Sequence, residues 1–186
     1  MSFPSREEAL LVLQEHTRGD SLLKHAYAVE AAMRFYASHF GEDPERWGAA
    51  GLLHDFDYEQ YPSLDDHPFK GAEILRARGY DAELIDAILS HAEHTGVPRT
   101  TPMRKALFAV DELCGFVTAV TLVRPSKKID EVEPSSVKKK LKDKAFARNV
   151  SREDIAQGAE LIEIPLETHI QNVIAAMRGI APALGL

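Results

Sequence analysis

Apolar side chains recur every three to four residues along most of the chain, with polar side chains between them. One such stripe begins at Leu22 and continues through Val29, Met33 and Tyr36 before Gly41. This period is typical of amphipathic α-helices, and no stretch alternates apolar and polar positions for long enough to indicate a β-sheet. The pattern therefore predicts an all-α protein.

Residues that favour helix ends divide the chain into successive helices. The predicted N-caps are Ser5 (with Glu8 completing a capping box), Asp20 or Ser21, Asp66, Asp81 and Thr101. Pro44 is placed in the first turn of the third helix, and Arg124-Pro125 ends the long helix that Thr101 opens.

The chain is predicted to form one domain over residues 1–186, because neither a repeat nor a low-complexity linker divides it. Its core is expected at about residues 20–123. Three further helices are expected near residues 134–147, 152–162 and 166–178, as a C-terminal helical extension that reaches about residue 180.

Composition excludes several classes of protein. Of 186 residues, 45% are hydrophobic and 27% are charged, which is not the composition of a disordered chain, a collagen or a disulfide scaffold. Cys114 has no second cysteine to pair with, which fits a reducing compartment. The N-terminal residues do not resemble a signal peptide, and no apolar run is long enough to cross a membrane. We therefore expect a cytoplasmic protein.

The net charge of −7 is unevenly distributed. Residues 124–148 carry nine Lys and Arg against four Asp and Glu, whereas the rest of the chain is acidic. An acidic body argues against stable nucleic-acid binding. The basic segment is either a solvated helix face or a contact for a phosphate-bearing ligand.

The candidate functional residues are polar side chains that interrupt apolar helix faces. Asp111 lies among Leu107, Phe108 and Cys114, where an ionised carboxylate is costly without a cation nearby. One such histidine alone is ordinarily hydrogen-bonded, and one such aspartate ordinarily pairs with Arg. Here a set of six such polar residues comes from five helices or helix ends, which changes the odds: His25, His54, Asp55, His67, His91 and Asp111.

A divalent cation resolves the cost of this cluster, because neutral imidazoles and carboxylates become its ligands. In helical bundles such sites are built from side chains that face inward. Six ligands exceed what one tetrahedral zinc site uses. The set suits either one octahedral ion with supporting outer groups or two neighbouring ions.

The order of these residues resembles the HD-domain metal-dependent phosphohydrolase superfamily over about residues 20–120. The resemblance rests on the segments GLLHDFDYE, DHPFKGAEIL, ILSHAEHTG and KALFAVDEL. It implies an HD-domain helical bundle. It further implies a first ion held by His25, His54, Asp55 and Asp111, and a second held by Asp55, His67 and His91 with Asp55 bridging.

The implied activity is hydrolysis of a phosphate ester or anhydride in a small phosphorylated substrate such as a nucleotide. The cofactor would be one or two divalent ions, chosen from Fe, Mn, Co, Ni, Mg and Zn. Asp55 would act in catalysis, and Asp57 or Glu59 would orient the water or the metal ligands unless both belong to a solvated loop. Phe56-Asp57-Tyr58 departs from the HDxGK pattern of cyclic dinucleotide phosphodiesterases, so cleavage of cyclic di-GMP is not expected.

Substrate phosphates also need cations or donors from the protein. The candidates for this contact are Lys70, His94 and Arg99, with Arg124, Lys127 and Lys128 after the Asp111 helix. His94 follows His91 by three residues and is expected on the same helix face, as a substrate contact, a further ligand or an outer residue. Two other functions are compatible with the same ligand set. One is a di-iron oxygenase of the HD fold, and the other is a non-catalytic module that binds metal or nucleotide.

Overall fold

The computed structural model describes residues 2–186, and Met1, which the predicted domain of residues 1–186 includes, lies outside the described residues. Ten α-helices make up most of this part of the chain. They are α1 (Arg6–His16), α2 (Asp20–Phe40), α3 (Pro44–Leu53), α4 (Phe69–Ala77), α5 (Ala82–His91), α6 (Pro102–Leu122), α7 (Pro134–Leu141), α8 (Arg152–Leu161), α9 (Leu166–Arg178) and α10 (Ala181–Leu184).

The prediction of an all-α fold is confirmed. Residues 2–186 contain no β-strand, and the only strand-like pairing among them is an isolated bridge between Ser2 and Tyr80. Within the same residues, no helix is both long and apolar enough to cross a membrane.

Helices α2 and α6, each of 21 residues, form the centre of the bundle. They pack against each other, α2 also packs against α3 and α9, and α6 also packs against α5 and α8. Two glycines permit close approach of these helices. A Cβ at Gly51 would lie 2.9 Å from the backbone of Glu30, and one at Gly158 would lie 2.6 Å from Cα of Ala109.

The C-terminal helices share their hydrophobic core with the N-terminal helices. Val137 of α7, Ile155 of α8 and Ile170 of α9 are buried in the same cluster as Val29 of α2 and Leu113 of α6. This continuity supports our proposal that residues 1–186 form one domain.

Several helix ends match the sequence-based expectations. Ser5 and Glu8 form the expected capping box, and the side chains of Asp81 and Thr101 cap α5 and α6. Gly41 ends α2 in the left-handed conformation, with φ +74°.

Two predicted N-caps are wrong, and in both places a carboxylate distant in sequence accepts backbone N–H groups near the start of the helix. The N-cap of α2 is Gly19, not Asp20 or Ser21, and Glu59 accepts the backbone N–H groups at this end of the helix. The N-cap of α4 is Pro68, not Asp66. The carboxylate of Asp66 instead accepts a hydrogen bond from Ser63.

The predicted C-terminal extension also needs correction. Helix α7 ends at Leu141 rather than near residue 147, and residues 142–150 fold into turns around Arg152. The guanidinium of Arg152 donates hydrogen bonds to four backbone carbonyls of this segment, which replaces the helical partners of those carbonyls. The short helix α10 was not predicted.

Candidate metal centre

Five segments of the bundle bring the six candidate ligands together. Three of the six stand at or just after the C-terminal end of a helix, where the chain leaves the helix and side chains can converge. His25 belongs to α2, His54 and Asp55 follow α3, His67 precedes α4, His91 is the last residue of α5, and Asp111 lies in α6.

The first group of possible ligands consists of His25, His54, Asp55 and Asp111, whose nitrogen or oxygen atoms all lie within 4.8 Å of one another. His25 Nε2 is 3.0 Å from Asp111 Oδ1 and 3.3 Å from His54 Nε2. His54 Nε2 is 3.5 Å from Asp111 Oδ1. These four side chains therefore face one common point.

The second group consists of Asp55, His67 and His91, with its donor atoms also within 4.8 Å of one another. Asp55 Oδ1 lies 3.2 Å from His67 Nε2 and 3.4 Å from His91 Nε2. The other oxygen, Oδ2, lies 3.4 Å from His54 Nε2. Asp55 thus directs a different oxygen towards each group.

Outer hydrogen bonds hold three imidazoles with Nε2 facing the cluster. His54 Nδ1 donates to the carbonyl of Gly51 at 2.8 Å, and His91 Nδ1 donates to that of Ile88 at 2.5 Å. Both carbonyls lie in the last turn of a helix, where carbonyl groups lack a helical partner. With the proton on Nδ1, the lone pair on Nε2 is free for a ligand.

Asp57 orients the third of these imidazoles from behind. Its Oδ1 lies 2.8 Å from His67 Nδ1, and its Oδ2 accepts the backbone N–H of Gly71 at 2.7 Å. A Cβ at Gly71 would lie 2.9 Å from Asp57 Cγ, so this approach requires glycine. Asp57 is buried and does not line the cleft, which places it behind His67 rather than beside a reacting water. The other candidate, Glu59, is exposed. Its carboxylate accepts the N–H groups of Arg18 and Gly19 at the start of α2.

The protonation equilibria reflect the concentration of carboxylates in this cluster. Burial lowers the pKa of His54, but Asp55 and Asp111 raise it well above its usual range. Burial raises the pKa of Asp55, yet the neighbouring histidines hold it well below its usual range. The pKa of Asp111 is lowered likewise against the effect of burial, by His54 and His25. The cluster therefore favours ionised carboxylates with positive charge between them.

The cluster forms the floor of an open cleft of about 490 Å³. Among the described residues that line this cleft there is no lysine or arginine. The positive charge that the carboxylates require is therefore absent from the side chains of the cleft, apart from the histidines themselves. The chemistry of this donor set, with nitrogen and oxygen ligands around two carboxylates, fits a divalent cation.

The predicted substrate contacts lie in different places. His94 lines the cleft, and its Nε2 donates to the carbonyl of His67 at 2.9 Å. It belongs to a 3₁₀ turn, Glu93–Thr95, and not to the helix face of His91 as expected. The half-buried Lys70 pairs with Glu73 outside the cleft.

The other predicted cations also lie outside the lining of the cleft. Arg99 is 3.5 Å above the ring centroid of Phe108 and donates to the carbonyl of Ser90. None of the Lys or Arg residues of the basic segment 124–148 lines the cleft, including Arg124, Lys127 and Lys128.

Four polar residues of the cleft were not identified from the sequence. Tyr58 packs its ring edge-on against His67, with 5.2 Å between the ring centroids. Burial and the neighbouring Asp111 raise the pKa of Glu112 to about 7. In the sequence, the only sign that Glu112 belongs to the site is its position next to Asp111 on α6. No local sequence feature marks the other two residues, Glu93 and Asp154.

Comparisons with known proteins agree with this geometry. The HD domain family model matches residues 22–115. Ribonuclease Y of Thermosipho melanesiensis is 28% identical over 165 residues, which is 84% of this chain and 30% of the relative. Ribonuclease Y of Thermotoga petrophila is 28% identical over 139 residues, 73% of this chain and 27% of the relative.

The chain spans about 30% or less of the length of these curated relatives. No solved structure matches it significantly. The family model covers half of the chain and includes all six candidate ligands. The chain therefore belongs to the HD-domain family, the superfamily of metal-dependent phosphohydrolases that its sequence resembles.

Proposed function

We propose that this chain hydrolyses a phosphate ester or anhydride of a nucleotide or related small phosphorylated molecule. The observation that carries the proposal is the pair of ligand groups that share Asp55 on the floor of an open cleft. A shared carboxylate between two sets of ligands is the arrangement that a two-ion phosphohydrolase needs.

The proposed cofactor is one or two divalent ions from the set Fe, Mn, Co, Ni, Mg and Zn. His25, His54, Asp55 and Asp111 would hold the first ion. Asp55, His67 and His91 would hold the second. Such ions lower the pKa of bound water and neutralise charge on phosphoryl oxygens.

The chain itself contributes orientation. The carbonyls of Gly51 and Ile88 and the carboxylate of Asp57 fix three imidazole rings, so that little reorganisation is needed when the substrate arrives. We assign Asp57 as a positioning residue on this basis, and Asp55 as the carboxylate in contact with the reacting centre.

The nature of the cleft favours a small substrate over RNA. Proteins that bind single-stranded nucleic acid use a positively charged groove with stacking aromatic side chains. The cleft here is lined by the acidic residues Glu93, Glu112 and Asp154. None of the lysines and arginines in the described part of the chain lines it. The relatives named ribonuclease Y are also far longer than this chain, so their printed activity is one hypothesis for the test rather than our proposal.

A substrate panel tests the proposal. The purified protein, loaded in turn with Mn, Fe, Co, Ni, Mg or Zn, is assayed for phosphate or nucleotide release from phosphomonoesters, phosphodiesters, nucleotide anhydrides and a short RNA. We expect turnover of at least one small substrate. Turnover of the RNA alone would overturn the choice of substrate, and no turnover with any metal would indicate a non-catalytic module.

Two variants and one further assay sharpen this test. His54→Ala and Asp55→Ala should each lose metal and activity together, because each removes a proposed ligand. Full metal content in either variant would contradict the ligand assignment. Iron content after purification without added metal, measured with oxygen uptake, tests the di-iron oxygenase: oxygen consumption without phosphate release would replace the hydrolase proposal.

A further inference from the structure

Gly115 stands out among the glycines inside helices because packing does not explain it. A Cβ at Gly115 would meet only His25 Cε1, at 4.0 Å. At four other helix positions a Cβ would come within 2.9 Å of a neighbouring atom: Gly48, Gly51, Gly71 and Gly158. Glycine is a poor helix former, and open space would accept alanine. The position therefore keeps a space open at a cost in helix stability.

Two cavities meet at this position. Gly115 and His25 line both the cleft over the candidate metal centre and a second cavity of about 330 Å³. The second cavity lies between α2, α6 and the segment 184–186. Gly115 follows Asp111 by one helical turn, so a side chain at this position would project beside the proposed ligands.

The lining of the second cavity differs from that of the cleft. Leu122, Leu184 and Leu186 form apolar walls. Ser21 and Lys24 add hydrogen-bonding groups, and Lys24 Nζ, paired with Asp20 at 2.8 Å, is the only ammonium or guanidinium among the described residues that line either cavity. Apolar walls with a few polar groups and a volume of roughly 300 Å³ or more are typical of sites for small organic ligands.

We propose that the second cavity is the binding site for the organic part of the substrate, and that Gly115 is the specificity-determining residue that lets it pass. This inference rests on the proposed function, in which the phosphate lies at the metal centre. A phosphate ester with an organic part of nucleoside size then extends past Gly115, with its apolar face against the leucines and its hydroxyl groups near Ser21 and Lys24.

The test measures binding to the Mn²⁺-loaded protein and needs no turnover. The probes are adenosine 5′-monophosphate, with a large organic part, and methyl phosphate, with almost none. The readout is the ratio of their dissociation constants, measured by calorimetry. We expect the wild-type protein to bind the nucleotide at least about tenfold more tightly, because only the nucleotide reaches the second cavity.

Two variants close the cavity at different points. Gly115→Leu blocks the passage, and Thr118→Leu fills the second cavity, which Thr118 lines without lining the cleft. Both should reduce the ratio to near one. Lys105→Leu inserts the same side chain in α6 away from both cavities, and should keep the wild-type ratio. Metal content and thermal unfolding are measured for each, so that lost folding is recognised.

Gly115→Ala separates a binding role from a structural one. Alanine should raise the Tm by about 2–4 °C, because it stabilises the helix and clashes with nothing. It should nevertheless lower the ratio. A wild-type ratio near one, or a ratio that either leucine variant leaves intact, would overturn the inference. These binding measurements do not depend on the turnover that the substrate panel measures. A failure of the panel can therefore be distinguished from a failure of this inference.

Discussion

His67 Nδ1 lies 2.8 Å from Oδ1 of Asp57, on the side of the imidazole that faces away from Asp55. The ring is therefore held between two carboxylates. Burial lowers the pKa of His67, but the two carboxylates raise it to about 9. The second oxygen of Asp57 accepts the N–H of Gly71 near the start of α4, so one buried side chain ties the imidazole to a helix end.

Asp57→Asn should weaken the binding of the second ion without releasing the first. An amide has one acceptor oxygen, whereas two N–H groups point at the side chain of Asp57, so one of them must lose its partner. Loss of such an outer partner typically lowers metal affinity by about 10–100-fold. Elemental analysis after equilibration with limiting Mn²⁺ should show a lower metal content than in the wild-type protein.

Glu59→Gln is the matched control for this variant. Glu59 lies two residues further on, but its exposed carboxylate accepts the N–H groups of Arg18 and Gly19 and takes no part in the cluster. The Glu59→Gln variant should therefore retain the metal content of the wild-type protein. An equal loss in both variants would mean that general acidity of the loop, and not the contact with His67, determines metal retention.

His67→Ala distinguishes one ion from two. If two ions bind, the wild-type protein should hold about two per chain and the variant about one, since the first group of ligands does not include His67. Activity should fall by orders of magnitude. If His67 instead contacts the substrate beside a single ion, the metal content of the variant will equal that of the wild-type protein, and the two-ion assignment fails.

Part of the convergence of the candidate ligands could be predicted from periodicity, because His25, His91 and Asp111 interrupt apolar helix faces. His91 and Asp111 belong to helices with clear periodicity, and their inward direction follows from it. The role of Asp57 could not be predicted in the same way. Its partners are ten and fourteen residues away, across a turn whose path no periodicity describes.

Contacts between residues that are distant in sequence also explain the errors at helix ends. The carboxylates of Glu59 and Asp57 bind N–H groups at the starts of α2 and α4, although local residues of suitable type were available. A capping pattern in the sequence considers only the neighbours of a residue. Contacts across the fold decide which of several possible caps is used.

Arg152→Lys should loosen the segment after α7. The guanidinium of Arg152 donates to the carbonyls of Asp143, Phe146, Ala147 and Val150. An ammonium group on a flexible stem cannot span these acceptors. We expect a loss of about 1–3 kcal/mol in the free energy of unfolding. Hydrogen exchange should accelerate in residues 143–150, whereas exposed Arg148→Lys should leave exchange unchanged.

His169 links three helices through a buried hydrogen-bonded chain. Its Nε2–H donates to the carbonyl of Ala109 on α6, at 2.9 Å, and its Nδ1 accepts from the hydroxyl of Tyr36 on α2, at 2.5 Å. Asn172 in turn donates to the Tyr36 oxygen at 3.3 Å. This arrangement requires neutral histidine, and burial lowers the pKa of His169 to about 4.

The stability of the protein should therefore depend on pH through His169. As pH falls below about 6.5, the unfolded chain binds a proton at this histidine, while the folded chain does not until about pH 4. Stability that is present above pH 6.5 is thus lost across this interval, by about 3 kcal/mol at most. The His169→Gln variant lacks this titration. Urea unfolding of the wild-type protein and the variant in metal-free buffer gives the difference between their free energies of unfolding. This difference should shrink from about pH 7.5 to about pH 4.5. Because the proposed metal ligands titrate alike in both proteins, the difference isolates His169. A constant difference across this range would show that His169 is not held in its neutral form.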